Sequence, residues 1–456
     1  MAICAVKKMV AENNSGKSYI LVVGLGVTGV SVVEFLIARG KKVIAVDSRE
    51  DLPVKNELEK RLQGLIIKTG VIDEDLYINA EQIIVSPGVP VSKSEIRKAV
   101  AQGVEVAGDV ELFAREVSAP VIAITGSNGK STVTTLVGEM ARKAGISVGV
   151  GGNLGVPVLE LLKQDAELYV LELSSFQLET LYSLQPVAAT VLNISPDHMD
   201  RYNDINDYAM TKQRIYKQAK NIVVNRDDNY VKKMVDAEKN VTGFTVSVPG
   251  INDFGLRDID NKTWLCKGDQ KIIAESDLRI GGRHNTSNAL AALALGEVAG
   301  LPMIAMIEAL REFGGLPHRS QWVAGKDDID WYNDSKGTNA GATLAAINGL
   351  TSKNKLVLIA GGLAKDADFT ILKEAVKNKV RCVVLIGRDA GKIEHDLDNV
   401  VPVYHASSME NAVNVAADQA ESGDAVLLSP ACASFDMFNN YEHRGEVFVR
   451  AVEKLL

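Results

Sequence analysis

Thr125-Gly126-Ser127-Asn128-Gly129-Lys130-Ser131-Thr132 follows the apolar run VIAIT and precedes the helical pattern VTTLVGEMARKAG. Small residues in such a turn let backbone N–H groups curl round phosphate oxygens. Lys130 would neutralise the β- and γ-phosphates, and the Ser131 or Thr132 hydroxyl could ligate Mg²⁺. The run departs from GxxxxGK[ST] because Ile124 stands at the first glycine position. An incidental glycine-rich turn is a poor account of Gly-Lys-Ser-Thr between a strand and a helix, and this is the strongest chemical signal in the chain.

A second glycine turn, Gly24-Leu25-Gly26-Val27-Thr28-Gly29, also lies between an apolar run and a helical pattern, and Asp47 ends the next apolar run. That is where a ribose-binding acid belongs in a dinucleotide fold. The pattern leaves the ligand open. It suits a nicotinamide or flavin dinucleotide, or a UDP-sugar whose pyrophosphate the helix N-terminus would hold, and its plain alternative is a tight, close-packed turn.

Glu172 interrupts the apolar run YVLELSS. An unpaired carboxylate there would be costly, and Mg²⁺ at the strand end is a natural partner; the plain alternative is a strand-end Glu that faces solvent or an Arg. Ser195-Pro196-Asp197-His198-Met199-Asp200 follows another apolar run and suits metal or phosphate contact, although a lone His is usually a hydrogen-bonded loop residue. On pattern alone Lys212, in NDYAMTKQRIYKQA, reads as a solvated helix lysine. Further along, three polar clusters each follow an apolar run: Asn333–Asn339, Gly361–Lys365 and Ser429–Ser434. Singly each is a turn; together at one sheet edge they make an anion site with Lys and Ser groups.

The elements that must position these groups alternate strand and helix throughout. The expected class is α/β with three domains, each built on a mainly parallel sheet with flanking helices. A Rossmann-like domain spans 1–110, a P-loop ATPase-like domain 111–315 and a second Rossmann-like domain 316–456. A region of alternation and turn residues between 240 and 277 is expected to hold a few antiparallel strands. The length of 456 residues agrees with about three domains. Lys+Arg 50 against Asp+Glu 58 gives −8, which disfavours a sequence-independent grip on nucleic acid or an anionic membrane surface. The four cysteines form no CxxC pair, as suits a reducing compartment. With no signal-peptide pattern and no apolar run near the ~18 residues of a spanning helix, a cytoplasmic protein without a membrane span is expected.

TGSNGKST, ELSSFQLE, SPDHMDRY, GRHNTSNALAA from Gly282, GLPHR at Gly315–Arg319 and NDSKGTN occur in the order seen in the Mur ligases, the ATP-dependent amino-acid-adding enzymes of peptidoglycan synthesis. The chain resembles that family over nearly its whole length. GLGVTG with DSR, SPG and SPACASFDMFNNYEHRG point to the branch that joins D-glutamate to UDP-N-acetylmuramoyl-L-alanine.

The resemblance implies that Gly126, Ser127, Asn128, Gly129, Lys130, Ser131 and Thr132 hold ATP together with Asn285, Arg319 and Asp334. It implies that Ser131 or Thr132, Glu172, His198 and Lys212 serve two Mg²⁺ ions, Lys212 as its carbamate. Lys130, Glu172, His198 and Lys212 would carry the catalysis. Val27, Thr28, Asp47, Ser48, Arg49 and Gly88 would line the uridine diphosphate site, with Asn153 and His198 at the muramoyl-alanine end. Thr338, Lys336, Lys365, Ser434 and Tyr441 would form the D-glutamate pocket, Tyr441 standing where Phe is expected. The implied reaction is amide formation through an acyl phosphate, by a monomer, with release of ADP and phosphate. Three alternatives remain: another ligase of the family, including a folylpolyglutamate synthetase-like enzyme; a dinucleotide-dependent oxidoreductase; and a non-enzymatic nucleotide-binding switch.

Overall fold

The structure, a computed structural model, describes residues 19–235, 240–280, 282–350, 352–364 and 367–455. Its first sheet comprises β1 (Ile20–Val23), β2 (Val43–Asp47), β3 (Ile66–Thr69), β4 (Gln82–Val85) and β5 (Glu105–Ala107), in the order β3-β2-β1-β4-β5 with every pair parallel. Every residue of β1 and β2 is buried, as expected of a parallel sheet covered on both faces. Val23 stands level with Val46 and with Val85. The turns after β1, β2 and β4 therefore open side by side, at the point where the strand order reverses and a crevice forms.

The second sheet contains β6 (Val121–Thr125), β7 (Val148–Gly152), β8 (Leu168–Glu172), β9 (Ala188–Val191), β10 (Asn221–Asn225), β11 (Asn240–Phe244), β12 (Phe254–Ile259), β13 (Lys262–Lys267) and β14 (Gln270–Ala274). Its order is β14-β13-β12-β11-β10-β9-β6-β8-β7. β8 runs parallel to β6 and β7, whereas β12, β13 and β14 form the antiparallel meander expected between 240 and 277.

The third sheet contains β15 (Gln321–Lys326), β16 (Ile329–Asn333), β17 (Leu356–Gly361), β18 (Val380–Ile386), β19 (Val403–His405) and β20 (Ala425–Leu428), ordered β15-β16-β20-β17-β18-β19. Only the β15–β16 pair is antiparallel. Apolar cores cover both faces: Leu358, Leu385 and Leu427 belong to one, Ile359, Val384 and Phe448 to the other. Each such side chain contributes roughly 1.5–3 kcal/mol when fully buried. Leu428 is level with both Asn333 and Ile359. The polar clusters after β16, β17 and β20 thus share one edge, as their spacing in sequence implies.

By backbone proximity the chain falls into two compact units. One takes residues up to Thr125, Gly145–Thr190 and Met210–Ile222; the other takes Gly126–Ala144, Val191–Ala209 and the chain from Val223 onward. Among the described residues no helix is long and apolar enough to cross a membrane.

Candidate active site

In the first unit, β1 breaks into the glycine turn and then into the helix Val27–Ala38. Gly24 has φ +90°, and a Cβ on Gly29 would lie 1.9 Å from the Gly24 carbonyl oxygen, so both positions need glycine. The Ser86 hydroxyl donates to that same carbonyl at 2.7 Å. Asp47, buried at the end of β2, accepts from Leu25 N at 2.8 Å and from Arg49 Nε and Nη2, each at 2.8 Å. The Arg49 hydrogen bonds hold its carboxyl well below the usual carboxylate range. Both Asp47 oxygens are thereby engaged, and what the turn presents to solvent is the Arg49 cation, its side chain 56% exposed. Val27, Ser48 and Gly88 are exposed at the same sheet edge and Thr28 is half-buried there. That edge suits a diphosphate, with the helix N-terminus and a guanidinium beside it.

Glu172, 2% exposed, ends β8 level with Ile124 of β6. Its Oε1 accepts from Asn153 Nδ2 at 2.6 Å, and its backbone carbonyl accepts from Asn153 N at 2.8 Å. Lys212 is 1% exposed and its Nζ donates to Thr125 Oγ1 at 3.3 Å. The expectation of a solvated helix lysine is therefore corrected: the helix Ile205–Gln213 carries its last turn against the end of β6 and takes the amine out of water. Asp109, also buried, accepts from Gln177 Nε2 at 3.1 Å, and burial pushes its carboxyl up to about 6. Gln177 is the reciprocal partner of Ser174 in a capping box, which fixes the chain just after Glu172.

In the second unit the phosphate loop is pinned from one side. Ser127 N donates to the Asn193 carbonyl at 3.0 Å, Asn128 N to Asn193 Oδ1 at 2.8 Å, and the Ser127 hydroxyl to the Ser195 carbonyl at 2.9 Å. Gly129, with φ +82°, caps the helix Lys130–Lys143, and a Cβ there would meet Asn288 Oδ1 at 2.4 Å. Lys130 Nζ lies 2.9 Å from both the Gly126 and Ser127 carbonyl oxygens, folded back over the loop. Ser131 and Thr132 are buried in the first helical turn, and Arg319 Nη2 donates to Ser131 Oγ at 2.8 Å. Asp334, pushed up to about 6 by burial, accepts from Ser429 Oγ at 2.7 Å and from Ser320 N at 3.0 Å. A cavity of about 400 Å³ is lined by Asn128, Gly129, Thr132, Asn285, Arg319 and Asp334, six of the expected nucleotide residues, together with Lys336, expected beside D-glutamate; Gly126, Ser127, Lys130 and Ser131 do not line it.

A neighbouring cavity of about 290 Å³ is lined by Asp197, His198, Thr338 and Asn339. His198 adopts φ +58°, and its Nε2 lies 3.8 Å from Asp197 Oδ2. Asn339 Nδ2 donates to Asp197 Oδ2 at 3.2 Å and to Asn128 Oδ1 at 3.3 Å, joining this cavity to the phosphate loop. Lys336 Nζ sits 3.6 Å from the centroid of the Tyr441 ring, Ser434 is buried, and Lys365 lies outside the described residues. Among the described residues no three or more His, Cys, Asp or Glu gather as a metal cluster. Asn193, Asn339 and Arg444 are not singled out by sequence pattern. Asn339 and Arg444 stand inside quoted motifs, but Asn193 carries no local signal.

Family models match the chain in three consecutive stretches: the MurD-like N-terminal domain of Mur ligases over residues 18–108, the Mur ligase middle domain over 124–296 and the Mur ligase glutamate ligase domain over 318–432. The UDP-N-acetylmuramoylalanine--D-glutamate ligase of Nitrosococcus oceani is 50% identical over 437 residues, 96% of each chain. Its counterpart from Pseudomonas putida is 50% identical over 433 residues, 94% of this chain and 96% of the other. Among solved structures, the UDP-N-acetylmuramate-alanine ligase of Thermotoga maritima shares the fold with a TM-score of 0.61 at 19% identity, over 96% of this chain and 100% of that one. A pseudomurein peptide ligase type C from Methanothermus fervidus does so with a TM-score of 0.59 at 19% identity, over the same shares. The chain belongs to the Mur ligase family, in its UDP-N-acetylmuramoylalanine--D-glutamate ligase branch.

Proposed function

We propose that the chain is an ATP-dependent ligase that joins the carboxylate of UDP-N-acetylmuramoyl-L-alanine to the amine of D-glutamate, in the synthesis of peptidoglycan precursors. The observation that carries this reading is the phosphate loop facing Arg319, Asp334 and Lys336 around one cavity, in a chain half identical to ligases of that name. A carboxylate resists attack by an amine. Transfer of the γ-phosphoryl group of ATP to it gives an acyl phosphate, the D-glutamate amine attacks the acyl carbon, the C–O bond to phosphate breaks, and ADP and phosphate are released.

The loop amides from Gly126 to Thr132 and Lys130 hold the phosphates, and Arg319, anchored on Ser131, adds positive charge where it develops in transfer. Asn285 and Asp334 line the nucleotide cavity. Two Mg²⁺ ions would neutralise phosphate charge when bound. The oxygen donors Ser131 or Thr132 and Glu172 suit that hard cation, with His198 and Lys212 completing the set. An ammonium at Lys212 would repel a metal, whereas its carbamate is an anionic oxygen ligand, and the burial of this side chain supports that reading. Val27, Thr28, Ser48, Gly88 and the Asp47–Arg49 pair take the uridine diphosphate, with Asn153 and His198 toward the muramoyl-alanine. Thr338, Lys336, Lys365, Ser434 and Tyr441 take D-glutamate. Three domains, 1–110, 111–315 and 316–456, would serve the three ligands. The engagement of both Asp47 oxygens by Arg49 and Leu25 favours a diphosphate over the ribose contact that a dinucleotide oxidoreductase needs.

The enzyme acts as a monomer in the cytoplasm on this reading, which gel filtration and cell fractionation check. The reaction itself is tested by phosphate release with ATP, Mg²⁺ and each acceptor in turn. Turnover with UDP-N-acetylmuramoyl-L-alanine and a different amino acid, but not D-glutamate, would sink it.

A further inference from the structure

Arg444, in the first turns of the helix Tyr441–Leu455, is 1% exposed and among the largest fully buried side chains. Its Nε donates to Ser335 Oγ at 3.0 Å, its Nη2 to the Ser335 carbonyl at 2.8 Å and its Nη1 to the Cys432 carbonyl at 3.0 Å. The Ser335 hydroxyl donates in turn to the Tyr441 carbonyl at 2.8 Å. All of these acceptors are neutral. Desolvating a guanidinium is expensive, and an apolar side chain of similar volume commonly serves stability as well or better. What the planar fork supplies that an apolar residue cannot is fixed direction toward several acceptors at once.

Those acceptors lie on the segments assigned to the amino acid. Ser335 adjoins Lys336, Cys432 is two residues before Ser434, and Tyr441 is itself in the assigned set. The helix that carries Arg444 is locked to the third sheet through Phe448 and Val452, so the fork projects from a rigid element. Burial pushes the guanidinium down only to about 10, which leaves it cationic at neutral pH.

We propose that Arg444 is a positioning residue for the amino-acid pocket: it fixes the Ser335 and Cys432 backbones, and through Ser335 that of Tyr441, so that Lys336, Ser434 and Tyr441 meet the substrate in one arrangement. The proposal rests on the assignment of D-glutamate to this pocket. It is tested by steady-state kinetics on Arg444→Lys, which keeps the charge and loses the fork, and on Ser335→Ala, which removes one acceptor and the link to Tyr441. Arg444→Lys is expected to raise the KM for D-glutamate about tenfold, the effect of about 1.4 kcal/mol of lost binding. Its kcat should stay within about threefold and its KM values for ATP and the UDP-linked acceptor near wild type, while its melting temperature falls because buried acceptors lose their donors. Ser335→Ala should move the same KM in the same direction, and the double variant should fall short of the product of the two effects, because both act in one network. An unchanged KM for D-glutamate in Arg444→Lys, or a parallel rise of all three KM values, overturns the proposal. Wild-type protein that releases no phosphate with D-glutamate overturns the assigned reaction instead.

Discussion

Arg319 Nη2 and Ser131 Oγ are joined at 2.8 Å although 188 positions separate them in sequence. The bond places a guanidinium at the first turn of the phosphate-loop helix, where the helix N-terminus already favours anions. Arg319→Ala is therefore expected to lower kcat/KM for ATP by about 10²–10³-fold, the usual cost of one electrostatic donor to a transferring group. Arg319→Lys should recover only part of this, since an ammonium lacks the fork. Steady-state kinetics at saturating acceptors measures both.

Lys212 lies buried against Thr125 instead of in solvent. If its amine is carbamylated, protein equilibrated with ¹³C-bicarbonate should show a carbamate carbon resonance that Lys212→Ala lacks. Activity should fall in buffer stripped of CO₂ and return on adding bicarbonate. Loss of an anionic metal ligand should cost at least about a hundredfold in turnover. A wild-type spectrum without the resonance would contradict the carbamate.

Arg49 is held in place by both oxygens of Asp47 yet keeps its side chain largely exposed. Arg49→Ala should raise the KM for the UDP-linked acceptor about tenfold or more and leave that for ATP unchanged. Asp47→Asn should produce a weaker version of the same effect, because it loosens the guanidinium without removing it. Titration calorimetry with UDP alone checks the assignment without turnover.

Asp109 is fully buried, and its carboxyl is pushed up to about 6 from an ordinary 3.8. Between those values the folded protein binds the proton that the unfolded chain has released, so stability falls as pH rises through that window and levels off above about 6. Asp109→Asn removes this dependence. Its stability relative to wild type should increase from pH 4 to pH 6.5, which urea unfolding at a series of pH values measures. A difference that stays flat or declines across that range would contradict the burial account.

The phosphate loop and the glycine turn were legible because each is a local strand–turn–helix pattern of a few residues, and the parallel topology extended that legibility to the third sheet. Asn333 and Leu428 end β16 and β20 level with Ile359, two residues before β17 ends, so clusters that follow three separate apolar runs share an edge. Lys212 and Arg444 were not legible in the same way. Each is a charged residue in a helical pattern, where solvent is the default partner. Their burial depends on which helix face meets the sheet, which is decided by contacts with residues 87 and 109 positions away. Asp47 illustrates a third case. Its position at the strand end was evident, but its role turns on Arg49 two residues later, whose side chain curls back onto both carboxylate oxygens.

This chain couples ATP cleavage to one particular amide bond. The most direct measurement is phosphate release with Mg²⁺ and ATP, with mass analysis of the UDP-linked product, when UDP-N-acetylmuramoyl-L-alanine and D-glutamate are supplied together and singly. Release is expected only with both acceptors present, with a product heavier than the acceptor by one glutamyl residue. Steady release that needs neither acceptor, or no release with both, would contradict it.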